Sequence, residues 1–287
     1  MYLEFFNLGK SPFRQPPDLE FYFPVKQYES ASAYLAYSIL NSEGIVMLIG
    51  EDGVGKSLLI QKLMAQFDYA SVVARVFQTQ LDDTGLLRAI LVEFGQKAFG
   101  SDKVELLDQL NSFLIDSYVN SVQPVIIIDD AQHLDVRALI ELRLLLGLET
   151  DKVAIPQIVL VGTRALEDKL QLPELSSLNS YIHLRKHLVP LRPEETSDYI
   201  RFRLAVAGGA EREIFLADAI ESIHAHTKGI PRKINILCDA VMMCAFADEC
   251  REINAGLIDT ALLELGWETK DPENSGSNNS MASLLYR

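Results

Sequence analysis

Five short segments in the first two thirds of the chain have the hydrophobic pattern of strands. They cover residues 44–50, 71–77, 125–129, 157–161 and 182–189. Between these segments, apolar residues recur at the spacing of one helix face. Buried strands that alternate with helices are typical of a parallel sheet covered by helices on both faces. We therefore predict an α/β domain built around a parallel sheet.

The pattern changes on either side of this region. After Pro193 it is helical only, over 194–207, 212–227, 231–248 and 254–265. The first 27 residues carry four prolines among aromatic residues, which predicts an irregular arm held by buried rings rather than a helix. The end of the chain is rich in serine, asparagine and glycine, which indicates disorder. The predicted divisions are a docking arm (1–27), an α/β domain (28–192), a small helical domain (193–267) and a disordered tail (268–287).

Composition and charge narrow the class of protein. The chain has 287 residues, 48% of them hydrophobic, so it can form a substantial core. Its net charge of −14, from 26 basic and 40 acidic residues, repels phosphate backbones and disfavours nucleic acid as a partner. The cysteines Cys238, Cys244 and Cys250 lie in one apolar helical stretch, which indicates reduced thiols in the cytoplasm. No segment reaches the roughly 18 consecutive apolar residues that span a bilayer, so we expect a cytoplasmic protein.

The strongest chemical motif is GEDGVGKS at residues 50–57, which fits G-x-x-x-x-G-K-[ST] between a predicted strand and a predicted helix. In such a loop, backbone amides point at phosphate oxygens, Lys56 reaches the β and γ phosphates, and the Ser57 hydroxyl ligates Mg²⁺. The competing interpretation is a glycine turn with an accidental lysine. We predict ATP and Mg²⁺ as ligands. The predicted nucleotide-binding residues are Gly50, Gly53, Val54, Gly55, Lys56, Ser57, Leu58 and Asp129.

Polar residues at the ends of two further predicted strands suit the same site. The segment 125–129 runs into Asp129 and Asp130, about 70 residues after the lysine. In P-loop NTPases the first acid holds Mg²⁺ through water, and the second is placed to orient the attacking water. The alternative is two acids that simply close a strand at the surface. Thr163 follows the segment 157–161 and suits a bridge between that water and the γ phosphate, or else an ordinary turn or helix cap.

A cation in the helical domain is a further candidate. Arg232 follows Pro231 at a predicted helix start, where it can fold over the phosphates when the small domain closes. From this motif alone, an ordinary surface arginine is the slightly better interpretation. The candidate catalytic residues are thus Asp130, Thr163 and Arg232, and the candidate magnesium ligands are Ser57 and Asp129.

Several motifs, in this order, resemble one family. They are MYLEFFNLGKSPFRQPPDLEFYF, GEDGVGKS, VIIIDDAQHL, LVGTRALEDKLQLPELSSLN, HLVPLRPEETSDYIRFRLAVAGG and GIPRKINILCDAVMMCA. Over residues 1–266 the sequence resembles the AAA+ ATPase domain of the general secretion pathway protein A (ExeA) family. ATPases of mannose-sensitive pilus biogenesis and of exopolysaccharide export are similar to this family.

The resemblance implies a P-loop NTPase αβα sandwich with a five-stranded parallel sheet, followed by a small all-helical lid. It also implies an ATPase that acts as an oligomer, with itself or with a paralogous ATPase, in assembling a secretion or pilus apparatus at the inner membrane. By position in the motifs, it assigns Lys56 and Ser57 to Walker A, Asp129 and Asp130 to Walker B, Thr163 to sensor 1 and Arg232 to sensor 2. Arg232 thereby becomes an expected nucleotide contact.

Two departures from the family bear on hydrolysis. Members usually have glutamate at the position of Asp130 and commonly have arginine at that of Tyr181. That arginine is a candidate finger on the γ phosphate of a neighbouring subunit, and such fingers supply roughly 10³ to 10⁵ in turnover. Arg164, Arg185 or a paralogous subunit are the candidate replacements. Three interpretations stay open: an assembly ATPase, a nucleotide switch that barely hydrolyses, and a DNA-handling AAA+ protein, against which the acidic charge argues.

Overall fold

The computed structural model describes residues 2–41, 44–67, 71–77, 80–98, 102–147, 149–150, 153–209 and 213–267. The predicted tail, 268–287, lies outside the described residues. The strands are β1 (Ile45–Gly50), β2 (Ser71–Val76), β3 (Gln123–Ile128), β4 (Glu149–Thr150), β5 (Val153–Ala154), β6 (Gln157–Gly162) and β7 (Ile182–Leu188). Five of them form one parallel sheet in the order β2-β3-β6-β1-β7. The five predicted strands and their parallel arrangement are confirmed, whereas the small antiparallel pair β4–β5 was not predicted.

Burial in the sheet follows each strand's position. The inner strands β1 and β6 are buried at every residue, which explains why they are apolar apart from Gln157. The strand β7 lies at an edge of the sheet. Only its ends, Ile182 and Leu188, are buried, and the residues between them are exposed or half-buried. The charged residues of β7 are therefore compatible with a strand.

Helices cover both faces of the sheet. The α-helices of the described residues, including those of the amino-terminal segment and of the lid, are α1 (Tyr2–Phe5), α2 (Lys26–Leu40), α3 (Lys56–Met64), α4 (Asp83–Glu93), α5 (Lys103–Val119), α6 (Val136–Leu145), α7 (Arg164–Leu170), α8 (Ser176–Ser180), α9 (Pro193–Val206), α10 (Ala217–Thr227), α11 (Pro231–Ala247) and α12 (Ala255–Glu264). Alternate residues of β1 enter two different cores: Val46 and Leu48 pack with α2 and α3, and Ile45 and Met47 pack with α4, α5 and α6. This arrangement confirms the αβα sandwich.

The helices α9 to α12 form a lid after the sheet, as predicted. The predicted helix 212–227 is wrong at its start, because α10 begins only at Ala217. Before it, Phe215 pairs with Ile253 in an isolated parallel bridge, and the Leu216 amide donates to the Ile253 carbonyl at 2.9 Å. These bonds satisfy a buried backbone in an extended conformation, which the helical spacing of the side chains did not reveal. Within the described ranges, no helix is both long and apolar enough to cross a membrane.

Residues 2–25 lie against the lid. They include the one-turn helix α1, which the prediction of an irregular arm did not contain. Phe6, Phe13 and Phe21 are buried. The Gly9 amide donates to the carbonyl of Ala207, just after α9, at 2.8 Å. Buried rings and backbone pairing therefore attach this segment to the lid rather than to the sheet alone.

Candidate functional site

The loop between β1 and α3 needs glycine at three positions. Gly53 and Gly55 have φ angles of 86° and 100°, a left-handed conformation that side chains rarely adopt. A Cβ atom at Gly50 would lie 2.7 Å from the Val54 side chain. The buried Tyr28 hydroxyl, on α2, donates to the Val54 carbonyl of this loop at 2.7 Å. Burial raises the pKa of Tyr28, so this hydroxyl stays protonated as a donor. This hydrogen bond thus fixes the loop backbone just before α3.

Lys56, at the first position of α3, is buried and points back over this loop. Its Nζ atom donates to the carbonyls of Gly50 at 2.9 Å and Glu51 at 3.1 Å, and lies 3.6 Å from the Asp52 carboxylate. The backbone amides that begin a helix add a partial positive charge at the same place. An anion with several oxygens fits here, because phosphate is a stronger acceptor for an ammonium group than a neutral carbonyl.

The two predicted magnesium ligands lie side by side. The Ser57 hydroxyl donates to Oδ2 of Asp129 at 3.2 Å, and Asp129 is only 4% exposed. Hydroxyl and carboxylate oxygens are the ligands that Mg²⁺ prefers, and Mg²⁺ commonly keeps several waters. The donor set at the junction of α3 and β3 therefore fits a hydrated magnesium ion.

A third group at this junction was not predicted. Arg75, on β2, donates from Nη2 to the same Oδ2 atom of Asp129 at 2.8 Å. Its guanidinium group also lies 4.3 Å from the centre of the Phe77 ring. Arg75 falls inside a segment recognised for its apolar residues. The only signal in the sequence was a lone cation in an otherwise apolar strand.

Gln132 connects the two strand ends that carry Asp130 and Thr163. Its Nε2 atom donates to Oδ1 of Asp130 at 3.2 Å, and its Oε1 atom accepts from the Thr163 amide at 3.2 Å. Asp130 itself has a φ angle of 53°, an uncommon conformation for a residue other than glycine. Thr163 precedes α7 and makes no side-chain capping bond. The structure thus places both predicted residues around one amide side chain that sequence reasoning missed.

The lid is seated directly on the loop through Arg232. The Arg232 amide, near the start of α11, donates to the Gly53 carbonyl at 3.1 Å. A Cβ atom on Gly53 would lie 2.6 Å from that of Arg232, so the glycine is also needed for this close approach. Any tilt of α11 would therefore move both Arg232 and the loop backbone.

These parts enclose a cleft of about 380 Å³. Its walls come from residues 14–18 and Phe21 of the amino-terminal segment, from Asp52, Gly53, Gly55, Lys56, Ser57 and Leu58, from Asp130, and from Tyr199, Arg203, Pro231, Arg232 and Asn235 of the lid. Of the other predicted residues, Gly50, Val54, Asp129 and Thr163 do not line the cleft as the described residues form it. A larger cavity of about 620 Å³ lies within the lid and contains no residue of the loop.

A buried arginine ties the amino-terminal segment to the lid at this cleft. Arg203, on α9, donates to the carbonyl of Pro12, to the hydroxyl of Tyr199 at 2.8 Å and to the carbonyl of Arg14 at 3.4 Å. The Tyr199 hydroxyl in turn donates to Asn235 at 2.9 Å. Burial raises the pKa of Tyr199, which keeps it a hydrogen-bond donor.

The finger candidates lie elsewhere. Tyr181 is 37% exposed, and the guanidinium of Arg143 lies 5.5 Å from the centre of its ring. Arg185 donates to the side chain of Asn179 at 2.6 Å, and Arg164 is exposed. Neither candidate belongs to the wall of the cleft as the described residues form it. The site of one chain therefore contains neither of them.

Comparison with known proteins agrees with this fold. A family model described as AAA domain matches residues 39–170. General secretion pathway protein A of Aeromonas hydrophila is 35% identical over 267 residues, which are 92% of this chain and 48% of that protein. The chain therefore spans about half the length of this relative.

Solved structures show the same architecture at low identity. Cdc6p of Pyrobaculum aerophilum has a TM-score of 0.68 at 17% identity, covering 91% of this chain and 70% of that one. The ORC2 protein of Aeropyrum pernix, in ADPNP-ADP complexes, has a TM-score of 0.62 at 17% identity, covering 89% and 71%. The RuvB Holliday junction branch migration motor of Thermotoga maritima has a TM-score of 0.58 at 15% identity, covering 89% and 74%.

The parallel sheet, the glycine loop and the helical lid define a P-loop protein of the AAA+ class. Within that class, the chain belongs to the AAA+ domain family of general secretion pathway protein A.

Proposed function

We propose that the chain binds ATP with Mg²⁺ in the cleft and hydrolyses it. The observation that carries this proposal is the Ser57 hydroxyl against the Asp129 carboxylate, beside the buried ammonium of Lys56. One place thus offers a cation for phosphate oxygens, two oxygen ligands for a divalent ion and a helix start. The family, and the nucleotide complexes of the Aeropyrum structure, support ATP as the ligand.

Binding has a direct physical basis in these side chains. Lys56 exchanges its loop carbonyls for phosphate oxygens, because an ionic hydrogen bond is stronger than a neutral one. Bound Mg²⁺ neutralises charge on the β and γ phosphates. Arg232 is held at the loop by its own backbone and supplies a second cation from the lid. Residues 14–18 and the lid form the other end of the cleft, where the base and ribose are received.

Hydrolysis requires a group that orients water against the γ phosphate. We assign this role to Asp130, with Gln132 fixing its carboxylate relative to Thr163. Aspartate is one methylene shorter than the glutamate usual in the family, but it supplies the same base. The left-handed backbone of Asp130 turns its side chain at the end of β3. Such strained residues occur frequently at active sites.

Turnover by an isolated chain is proposed to be slow. Tyr181 occupies the position where relatives commonly have arginine, and neither Arg164 nor Arg185 lines the cleft of its own chain. A finger from a second subunit, either a copy of this chain or a paralogous ATPase, would raise turnover by roughly 10³ to 10⁵. The second candidate function is a nucleotide switch that holds ATP and hydrolyses it only with such a partner. Tyr181 is the observation that favours it.

The apparatus on which this ATPase acts is inferred from the related protein and not from the geometry of the cleft. We propose that ATP binding and hydrolysis gate the assembly of a bacterial envelope secretion or type IV pilus apparatus, from the cytoplasmic face of the inner membrane. The identity of 35% to general secretion pathway protein A supports a secretion component. A net charge of −14 argues against the nucleic-acid partners of the RuvB branch migration motor.

Equilibrium binding of ATP tests the proposed site. Lys56→Ala removes the ammonium group, so the dissociation constant should rise by about a hundredfold or more. Lys62→Ala is the matched control, because Lys62 lies on the same helix and pairs instead with Glu29 at 2.7 Å. Affinity that is equal in the Lys56→Ala variant and the unsubstituted protein would overturn the proposal.

A further inference from the structure

Arg75 occupies the carboxylate that the proposed magnesium site needs. Its Nη2 atom and the Ser57 hydroxyl both donate to Oδ2 of Asp129, at 2.8 and 3.2 Å. Only 12% of the Arg75 side chain and 6% of the Asp129 side chain are exposed. The sheet creates this pairing, because β2 is the edge strand beside β3 and the Asp129 amide donates to the Val76 carbonyl at 3.0 Å.

The guanidinium group of Arg75 is incompletely satisfied where it lies. Its Nε atom is buried and makes no hydrogen bond to the part of the chain that the structure describes. One face of the group rests on the Phe77 ring, which is itself 59% exposed. A buried donor without an acceptor is costly, and such groups in native structures call for a functional explanation.

The positive charge of Arg75 has opposite effects on the two proposed ligands, ATP and Mg²⁺. It attracts the phosphate anion, as does the neighbouring Lys56 ammonium. It also repels a divalent cation that approaches Ser57 and Asp129, and it competes with that cation for Oδ2. A charged pair with so little exposed surface is screened weakly by salt, so both effects persist at ordinary ionic strength.

We propose that Arg75 is a positioning residue of the magnesium site. It holds Asp129 against Ser57 before metal enters, and it supplies positive charge to the phosphates of metal-free ATP. Because it occupies Oδ2 of Asp129, it also raises the Mg²⁺ concentration at which the complete site forms. This inference rests on the proposed binding of ATP with Mg²⁺, and it assigns to the site a built-in sensitivity to free magnesium.

The test measures ATP affinity by titration calorimetry, first in chelator and then across a series of Mg²⁺ concentrations. Arg75→Gln should weaken binding in chelator by about three- to tenfold, since one cation is lost. The same variant should lower the half-saturating Mg²⁺ concentration by about threefold or more, since the competitor for Asp129 is gone. Arg251→Gln is the matched control, because Arg251 is an exposed arginine outside the wall of the cleft whose guanidinium group likewise lies near an aromatic ring, 5.1 Å from the centre of Phe5.

Arg75→Gln is expected to weaken ATP binding in chelator but to lower the half-saturating Mg²⁺ concentration. This combination distinguishes the proposed role of Arg75 from general damage to the fold. Damage to the fold would weaken binding in chelator and in magnesium together, and that result would overturn the role of Arg75. Unchanged values in both conditions would overturn it equally.

Arg75→Lys provides a second test in case the Arg75→Gln variant does not fold. It keeps the charge, so its affinity in chelator should stay within about twofold of the unsubstituted protein. A loss as large as that expected for Arg75→Gln would contradict the proposal. Failure of the unsubstituted protein to bind ATP in either condition would overturn the proposed function as well.

Discussion

The Ser57 hydroxyl donates to the Asp129 carboxylate across 3.2 Å, although 72 residues separate the two along the chain. Ser57 follows β1 and Asp129 follows β3, and the strand β6 lies between these two in the sheet. The carboxyl ends of parallel strands share one edge, which is where ligands of such sheets bind. The contact is therefore a consequence of the strand order.

Asp130 is predicted to act in hydrolysis and not in binding. Asp130→Asn keeps the size of the side chain, and asparagine tolerates a left-handed backbone, so the fold should be retained. Loss of the carboxylate should lower kcat by about 10² to 10⁴, while ATP affinity stays within about threefold. Steady-state phosphate release and equilibrium binding give the two quantities. Undiminished kcat would show that the acid only closes the strand.

Gln132 is predicted to position Asp130 relative to Thr163. Gln132→Ala removes both hydrogen bonds of 3.2 Å, so kcat should fall about tenfold with little change in KM. Gln109→Ala is the matched control, because Gln109 is a half-buried glutamine on α5 that bonds only the Lys97 carbonyl among the described contacts. Equal kcat values for the two variants would remove Gln132 from the site.

Arg203 is predicted to hold the amino-terminal segment on the lid. Arg203→Ala breaks three hydrogen bonds and the contact of 4.6 Å with the Phe21 ring. The free energy of unfolding should decrease by about 2–4 kcal/mol, and limited proteolysis should cut earlier between residues 9 and 21. Arg201→Ala, an exposed neighbour on the same helix, should leave both measurements unchanged. The same cleavage rate in the Arg203→Ala and Arg201→Ala variants would count against the role of Arg203 in holding the amino-terminal segment on the lid.

The three cysteines are predicted to differ in reactivity. Burial raises the pKa of the Cys244 thiol to about 11, and burial also raises the pKa of Cys238. At pH 8 only about one in a thousand Cys244 thiols is ionised, and the thiolate is the reactive form. A disulfide reagent should therefore modify one thiol per native chain, the exposed Cys250, and Cys250→Ser should abolish this fast phase. Rapid modification of two or three thiols would contradict this.

The sheet and the glycine loop were predictable because each has a local signature. The inner strands β1 and β6 are apolar at every position except Gln157, and the loop needs glycine for reasons of backbone geometry. The lid was predictable from helical spacing, except before Ala217. There, pairing with Ile253 replaces the helix, and such pairing depends on residues distant in sequence.

The groups that complete the site could not be predicted in the same way. Arg75 and Gln132 belong to no motif, and they gain their roles only when the strands β2, β3 and β6 lie side by side. Arg203 was hidden among other charged residues of α9, and its burial depends on how the amino-terminal segment folds back. Packing between elements that are distant in sequence, rather than spacing along the chain, brings these side chains to the site.

Steady-state hydrolysis of ATP with Mg²⁺, over a hundredfold range of protein concentration, tests the proposed ATPase activity most directly. The Lys56→Ala variant serves as the blank. We expect phosphate release above that blank, with specific activity that rises as concentration increases, because a finger from a second subunit completes the site. Release that equals the Lys56→Ala blank at every concentration would contradict the proposal that this chain hydrolyses ATP by itself or with copies of itself.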